Sequence, residues 1–263
     1  MAEHERTPAG VDPSRPNSAR VFDYLLGGKD NYEVDQRVAH RMLAVAPDTR
    51  TLAWFSRQFL LGGVRHAAEA GVRQFLDLGS GLPTSPNVHE TARAYDAAIP
   101  VVAVDNDPVV LVHSNAILTG VTGVTALLGD VRDVDDIVER VRAQRLLDFD
   151  RPIGVLLVGV LHFVMDDEHP AEILRRLRAV LAPGSFVVFT HGAAESNREF
   201  IERSENDTEG SPAQVAYRSV EQVRELFDGY ELLEPGVVPI QEWLGDDLPE
   251  TKLVLLGGIA ELR

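Results

Sequence analysis

Four side chains with reactive chemistry recur at one kind of position in this sequence. Asp77, Asp105 and Asp130 each follow a short apolar run, and His162 follows another. The first acid opens a glycine-rich turn, Asp77-Leu78-Gly79-Ser80-Gly81. Glycine at 79 and 81 lets the backbone turn sharply and come close to a bound molecule. Carboxylates accept hydrogen bonds and attract cations. Three of them at successive strand ends suit a nucleoside with a positively charged tail.

A dinucleotide site needs G-x-G-x-x-G, whose last glycine allows close helix–strand packing. Here the turn runs Gly79-Ser80-Gly81-Leu82-Pro83-Thr84, so that glycine is missing. Asp77 also puts negative charge where a pyrophosphate would sit, which disfavours phosphate and favours an ammonium or sulfonium. S-adenosylmethionine (SAM) has both cations and no phosphate, and it is the expected cofactor; a NAD-type oxidoreductase is disfavoured. Asp105 can accept from two ribose hydroxyls. NAD enzymes use the same device, so Asp105 does not discriminate by itself. Asp130 can accept from the adenine amino group while the Val131 N–H meets a ring nitrogen. Plainer readings stay open at each position. The glycines make an ordinary turn, Asp105 and Asp107 suit helix caps before Pro108, and Asp130 suits a turn or an ion pair.

Methyl transfer from a sulfonium is an in-line displacement in which positioning and exclusion of water supply much of the rate. A base is needed only if the acceptor must lose a proton. His162, inside Val158-Gly159-Val160-Leu161-His162-Phe163, is the candidate for that role or for a wall of the adenine pocket. A satisfied histidine at a strand end is the competing reading. His191, Glu195 and Arg198 could line an acceptor pocket, and a surface helix would look the same. No Asn-Pro-Pro-Tyr-like run follows the fourth apolar run. That disfavours methylation of base or glutamine amides and favours a small-molecule acceptor. His162, Asp166, Asp167, Glu168 and His169 have metal-ligand chemistry, but an acidic first turn of a helix accounts for them better, and no metal is expected.

The elements that must position these residues are legible as patterns. From Val72 onward, short apolar runs (Arg73–Leu78, Pro100–Asp105, Val124–Leu128, Ile153–Val160, Ser185–Thr190) alternate with amphipathic stretches such as 108–118, 134–141 and 171–181. This rhythm predicts an α/β fold with a mostly parallel sheet and helices on both faces. Ligands in such sheets bind outside the carboxyl ends of the strands, where the four residues would gather. Before Val72 the spacing of Val21, Leu25, Leu26, Leu52, Phe55 and Phe59 predicts helices, punctuated by Gly27-Gly28 and Pro47. We expect a disordered lead-in over 1–16 and a single domain over 17–263. Within it lie a helical cap (17–71), a SAM-binding core (72–191), an insertion or lid (192–218, with a helix over 194–203 and a loop over 204–212) and a last helix with two strands near 230–233 and 252–257 (219–263).

At 263 residues the chain is long enough for one α/β domain with an extension. Cysteine is absent, which excludes disulfides, thiolate metal sites and cysteine nucleophiles and fits a reducing compartment. The net charge of −16 argues against a long nucleic-acid footprint. No apolar run approaches the roughly 18 residues of a membrane span, and the polar N-terminus has no secretory h-region. A cytoplasmic protein with no nucleic-acid or membrane partner is expected, and an apolar face on the N-terminal helices could support a homodimer.

Three stretches give the chain a family resemblance. They are Ser18-Ala19-Arg20-Val21-Phe22-Asp23-Tyr24-Leu25-Leu26-Gly27-Gly28-Lys29-Asp30-Asn31-Tyr32, Asp77-Leu78-Gly79-Ser80-Gly81-Leu82-Pro83-Thr84 and Val104-Asp105-Asn106-Asp107-Pro108-Val109-Val110-Leu111. The chain resembles class I SAM-dependent methyltransferases, and more narrowly a bacterial S-adenosyl methyltransferase family formerly known as a domain of unknown function. The resemblance covers nearly all of the chain after residue 15. It implies a Rossmann-like sheet of seven strands, the last antiparallel, with SAM across the first strand ends. On these motifs Ser80 and Asn106 join Asp77, Gly79, Gly81, Asp105, Asp130, Val131 and His162 as expected cofactor contacts. The loop after Gly27-Gly28 is expected to close over SAM, with Tyr24, Lys29 and Asn31 at the methionine end and Lys29 on its carboxylate. The alternative there is a core tyrosine and a solvated lysine. The resemblance brings no acceptor. A SAM-binding sensor or scaffold without transferase activity remains the alternative function.

Overall fold

The computed structural model describes residues 12, 14–118, 120–210, 213–245, 248–249 and 251–263, with the backbone only at 207. The expected lead-in over 1–16 falls largely outside them. Among the described residues no helix is long and apolar enough to cross a membrane.

Five parallel strands form the centre: β1 (Phe75–Leu78), β2 (Val101–Asp105), β3 (Val124–Leu128), β4 (Gly154–Leu157) and β5 (Phe186–Gly192). The C-terminal strand β8 (Leu255–Glu261) adds antiparallel to β5. The sheet order is β3-β2-β1-β4-β5-β8-β6, with β6 at Glu231–Leu232. An eighth strand, the two-residue β7 (Val238–Pro239), also pairs with β8. Among the described residues the sheet thus has eight strands where the resemblance implies seven, the addition being this two-residue pairing. β8 also starts three residues later than its expected 252.

Side chains alternate across the strands, so each face has its own core. Leu76, Leu78, Val102, Val104, Val155 and Leu157 face one side. They pack on Ile137 and Val141 of α6 (Val134–Ala143) and on Ile173 and Leu177 of α7 (Pro170–Val180). Phe75, Val101, Leu156, Phe186 and Val188 face the other side. There they meet Phe59, Leu60 and Val64 of α3 (Thr49–Glu69). The 21-residue α3 therefore covers the sheet itself, while α1 (Ser18–Leu25) and α2 (Glu33–Val45) form a separate small cluster with it around Val21, Leu25, Val38 and Ala53.

The helix of the insertion, α8, spans Arg198–Thr208 and so extends through most of the segment expected as a loop. Asn197 caps its start by accepting from the Phe200 N–H at 3.1 Å. Near its end the Thr208 hydroxyl donates to the Ser204 carbonyl at 2.6 Å. These local polar bonds set the helix bounds four to five residues later than the expected 194–203.

Candidate active site

β1 lies between β2 and β4, so the strand order reverses there and a crevice opens beyond the carboxyl ends. Asp77 is on β1 in register with Ala103 of β2 and Leu156 of β4. The chain then turns at Gly79 (φ +74°) and Gly81 (φ +63°), both in the left-handed region that favours glycine. The Gly79 and Ser80 amides both donate to the Val104 carbonyl, at 2.7 and 3.0 Å. A Cβ on Gly81 would meet nothing within 4 Å, so its backbone faces open space.

Asp105, at the end of β2, ties this turn to its own. One oxygen, Oδ2, accepts from the Gly81 amide at 2.8 Å, and Oδ1 accepts from the Asp107 amide at 3.0 Å. Asp77 and Asp105 are both buried. Burial pushes the Asp77 carboxyl up to about 7, with Arg57 opposing and Asp105 adding to the shift. Burial likewise pushes Asp105 up to about 6, against backbone donors from Asp107, Gly81 and Asn106.

Asp130 sits past β3 as the cap of a short turn over 131–133. Its Oδ1 accepts from the Arg132 amide at 3.0 Å, and its Oδ2 from Arg132 Nη1 at 2.8 Å. Arg132 also pairs with Glu168 at 2.9 Å, linking the ends of β3 and β4. After β4, a single turn over 161–163 presents His162. The imidazole packs on Phe163 at 4.3 Å between ring centroids, and its buried Nδ1 has no hydrogen-bond partner among the described residues. Burial, with His191 and Arg218 nearby, pushes His162 down to about 3, so the ring is neutral.

Eight of the expected residues, Asp77 to Gly81 without Leu78, Asp105, Asn106, Asp130 and Val131, line one cavity of about 280 Å³ together with His162. Tyr24, Lys29 and Asn31 are not on its wall. The Tyr24 hydroxyl is 2.6 Å from His40 Nε2, and Arg50 stacks over its ring. Lys29 is exposed. Asn31 turns inward to Asp23, donating from Nδ2 to Oδ2 at 2.8 Å. From the same run it is Val21, Phe22, Asp23, Leu25 and Leu26 that reach the cavity.

Three groups were not singled out by sequence reasoning. Arg57 of α3 lines the cavity and donates from Nη2 to the carbonyls of Thr84 and Pro86, holding the loop beyond the glycine turn. Its signal was a cation on the apolar face of α3, one turn from Ala53 and Leu60. Arg218 closes the insertion. It donates to the Val164 carbonyl at 2.9 Å, to the Leu161 carbonyl at 3.4 Å, to Asp166 Oδ1 at 2.6 Å and to His191 Nε2 at 2.7 Å. Since Arg218 can only donate, His191 bears its proton on Nδ1 and gives it to the Gly192 carbonyl at 2.9 Å. Arg20 of α1 lies buried 3.4 Å from both Asp35 of α2 and Asp107 beyond β2. No sequence spacing brings that trio together.

The donor set fits SAM. Two buried carboxylates, Asp77 and Asp105, with no side-chain donor bonded to them among the described residues, face an open cavity beside glycine backbone, and cations or hydroxyls there would satisfy them. A group of three or more His, Cys, Asp or Glu able to hold a metal does not occur among the described residues.

Known structures share this architecture. A DUF574-family protein of Streptomyces avermitilis is 32% identical with a TM-score of 0.90, over 96% of this chain and 99% of that one. A candidate methyltransferase of Thermobifida fusca is 35% identical with a TM-score of 0.89, over 98% and 99%. The N-methyltransferase NodS of Bradyrhizobium japonicum shares the fold at 14% identity and a TM-score of 0.50, over 80% and 97%. No curated protein matches the chain. The S-adenosyl methyltransferase family model matches residues 4–262, and the chain belongs to that family.

Proposed function

We propose that this chain transfers the methyl group of SAM to a small organic acceptor. The observation that supports this best is the convergence of Asp77, the Gly79–Gly81 turn, Asp105 and His162 on one cavity at the switch point of the sheet. In this reading Asp105 takes the ribose hydroxyls, Asp77 faces the cationic tail, and Asp130, Val131 and Asn106 border the adenine. Ser80, Gly79 and Gly81 offer close backbone. SAM supplies a methyl group already activated by its sulfonium.

The chain's own contribution is then position and dryness. α1, α3 and α8 form walls beyond the strand ends, which keep water from the reacting atoms and suit a molecule small enough to lie within. His162 is neutral and a poor proton acceptor, so it acts by hydrogen bonding from the wall and orients the acceptor. Tyr24, Lys29 and Asn31 enter this reading through the loop they build, since Asp23 accepts from the Asp30 amide and the Asn31 side chain.

The test is incubation with methyl-labelled SAM and a bacterial extract. Label recovered in low-molecular-weight products is the expected result. Tight SAM binding with no transferred label would instead support a sensor or scaffold, and label only in macromolecules would remove the small-molecule acceptor.

A further inference from the structure

Beyond the strand ends the cavity changes character. Its outer wall is built from Phe200 of α8, Val215, Leu253 and Leu255, opposite Leu52 and Leu60 of α3. The polar groups among them are hydroxyls: Ser204, Thr208 and Tyr217. Tyr217 and Ser204 hydrogen-bond to each other, and burial pushes the Tyr217 phenol up to about 12, so it stays neutral.

The charged side chains that reach the cavity are already engaged or sit at the cofactor end. Arg57 belongs to the cofactor end, where Asp77 acts on its charge; its Nη2 is held by the Thr84 and Pro86 carbonyls, while its buried Nε has no hydrogen-bond partner among the described residues. Arg132 is held by Asp130 and Glu168. Asp23 takes two donors from its own loop. Asp77, Asp105 and Asp130 lie at the strand ends. Glu205, which adds to the Tyr217 shift, is exposed and off this wall. Among the described side chains, the outer wall therefore offers no counter-ion. An ionised acceptor would lose its hydration there with nothing in return, whereas apolar surface gains by burial.

Taking the methyltransferase reading as given, we infer that the acceptor is a neutral, largely apolar molecule, held by shape and by hydroxyl hydrogen bonds. Selection against anions and cations is built into the outer wall, and Tyr217 and Ser204 set the polar contact.

Three naphthalene compounds of similar size test this on protein loaded with S-adenosylhomocysteine near neutral pH. They are 1-naphthol (neutral), 1-naphthoate (anion) and 1-naphthylmethylammonium (cation). Calorimetry is expected to show 1-naphthol binding at least about ten-fold more tightly than either ion. An ion that binds as well or better overturns the inference, and so does absence of binding by all three. Val215→Lys is expected to weaken 1-naphthol about ten-fold or more while S-adenosylhomocysteine affinity stays unchanged, with Val215→Met retaining both. Should the lysine variant not fold, the ranking on the unaltered chain decides alone. Loss of S-adenosylhomocysteine binding by the unaltered chain would remove the underlying methyltransferase reading and this inference with it. Intact cofactor binding with a reversed ranking removes the inference only.

Discussion

The Gly81 amide donates to the Asp105 carboxylate at 2.8 Å, which makes the turn after β1 and the end of β2 one unit. Neither residue can be changed without disturbing the other. Asp105→Asn removes an ionised acceptor from that unit and from any hydroxyl it receives. We expect SAM affinity to fall about ten-fold or more, equivalent to one charge-assisted hydrogen bond. Gly81→Ala places a side chain at φ +63°, at a cost of about 1 kcal/mol. Its Cβ would project into open space, so affinity is expected to drop by more than the thermal-unfolding shift implies. Calorimetry beside a melting curve separates the two.

Asp77 makes binding depend on pH. Its folded carboxyl holds a proton up to about pH 7, whereas in the unfolded chain it releases it near its ordinary 3.8. The folded state therefore binds the extra proton between those limits, and stability of the cofactor-free chain falls as pH rises through them. A cation on Asp77 prefers the ionised form, so SAM affinity is expected to rise from pH 5.5 to 8. Asp77→Asn should make both curves shallower, leaving the part that Asp105, itself pushed up to about 6, contributes. A SAM affinity that is level across this range in the unaltered chain would exclude Asp77 as the partner of the cationic tail.

Arg218 holds the turn that presents His162. Arg218→Ala leaves His191 and three oxygen acceptors without their donor, and about 3 kcal/mol of stability is expected to be lost. Arg218→Lys keeps the charge and loses the fork, so it should recover only part of that. His191 is pushed down to about 4, chiefly by burial. Its NMR titration is a readout that distinguishes lost contacts from general unfolding.

Arg20 is the charge that joins the cap to the cofactor side. With Asp35 and Asp107 both 3.4 Å away and all three buried, Arg20→Ala strands two acids. A loss of about 3–5 kcal/mol is expected. Limited proteolysis should then cut first between α1 and α2. Equal resistance to protease in the variant would show that apolar packing alone seats the cap.

Lys29 offers a contrast with Asp23. Lys29 is exposed, while Asp23 is buried and reaches the cavity. We expect Lys29→Ala to change SAM affinity less than about two-fold, and Asp23→Ala to weaken it by releasing the Asp30 and Asn31 donors, a loss of about 1–3 kcal/mol. A large Lys29 effect would mean that the loop closes over the cofactor.

Much of this molecule was determined locally. Apolar runs of four to seven residues alternating with amphipathic stretches specify buried parallel strands and their covering helices, because burial on both faces leaves no other pattern. The parallel sheet then sends every strand end to one edge, which is why Asp77, Asp105, Asp130 and His162 could be grouped from their spacing. The tertiary structure decided what no local pattern encodes. Arg20 meets Asp107 in a buried ion pair, and Arg218 meets His191 in a buried hydrogen bond, across long stretches of chain, and such contacts depend on which surfaces the fold brings together. The two-residue β7 exists only because β8 lies beside it. The helix expected over 194–203 instead runs over Arg198–Thr208, because its start and end are set by the Asn197 and Thr208 hydrogen bonds rather than by an apolar pattern. For Tyr24, Lys29 and Asn31 the motif was legible, but the direction of the loop was not: Asp23 draws its donors inward, and those hydrogen bonds form only once α1 and α2 have packed.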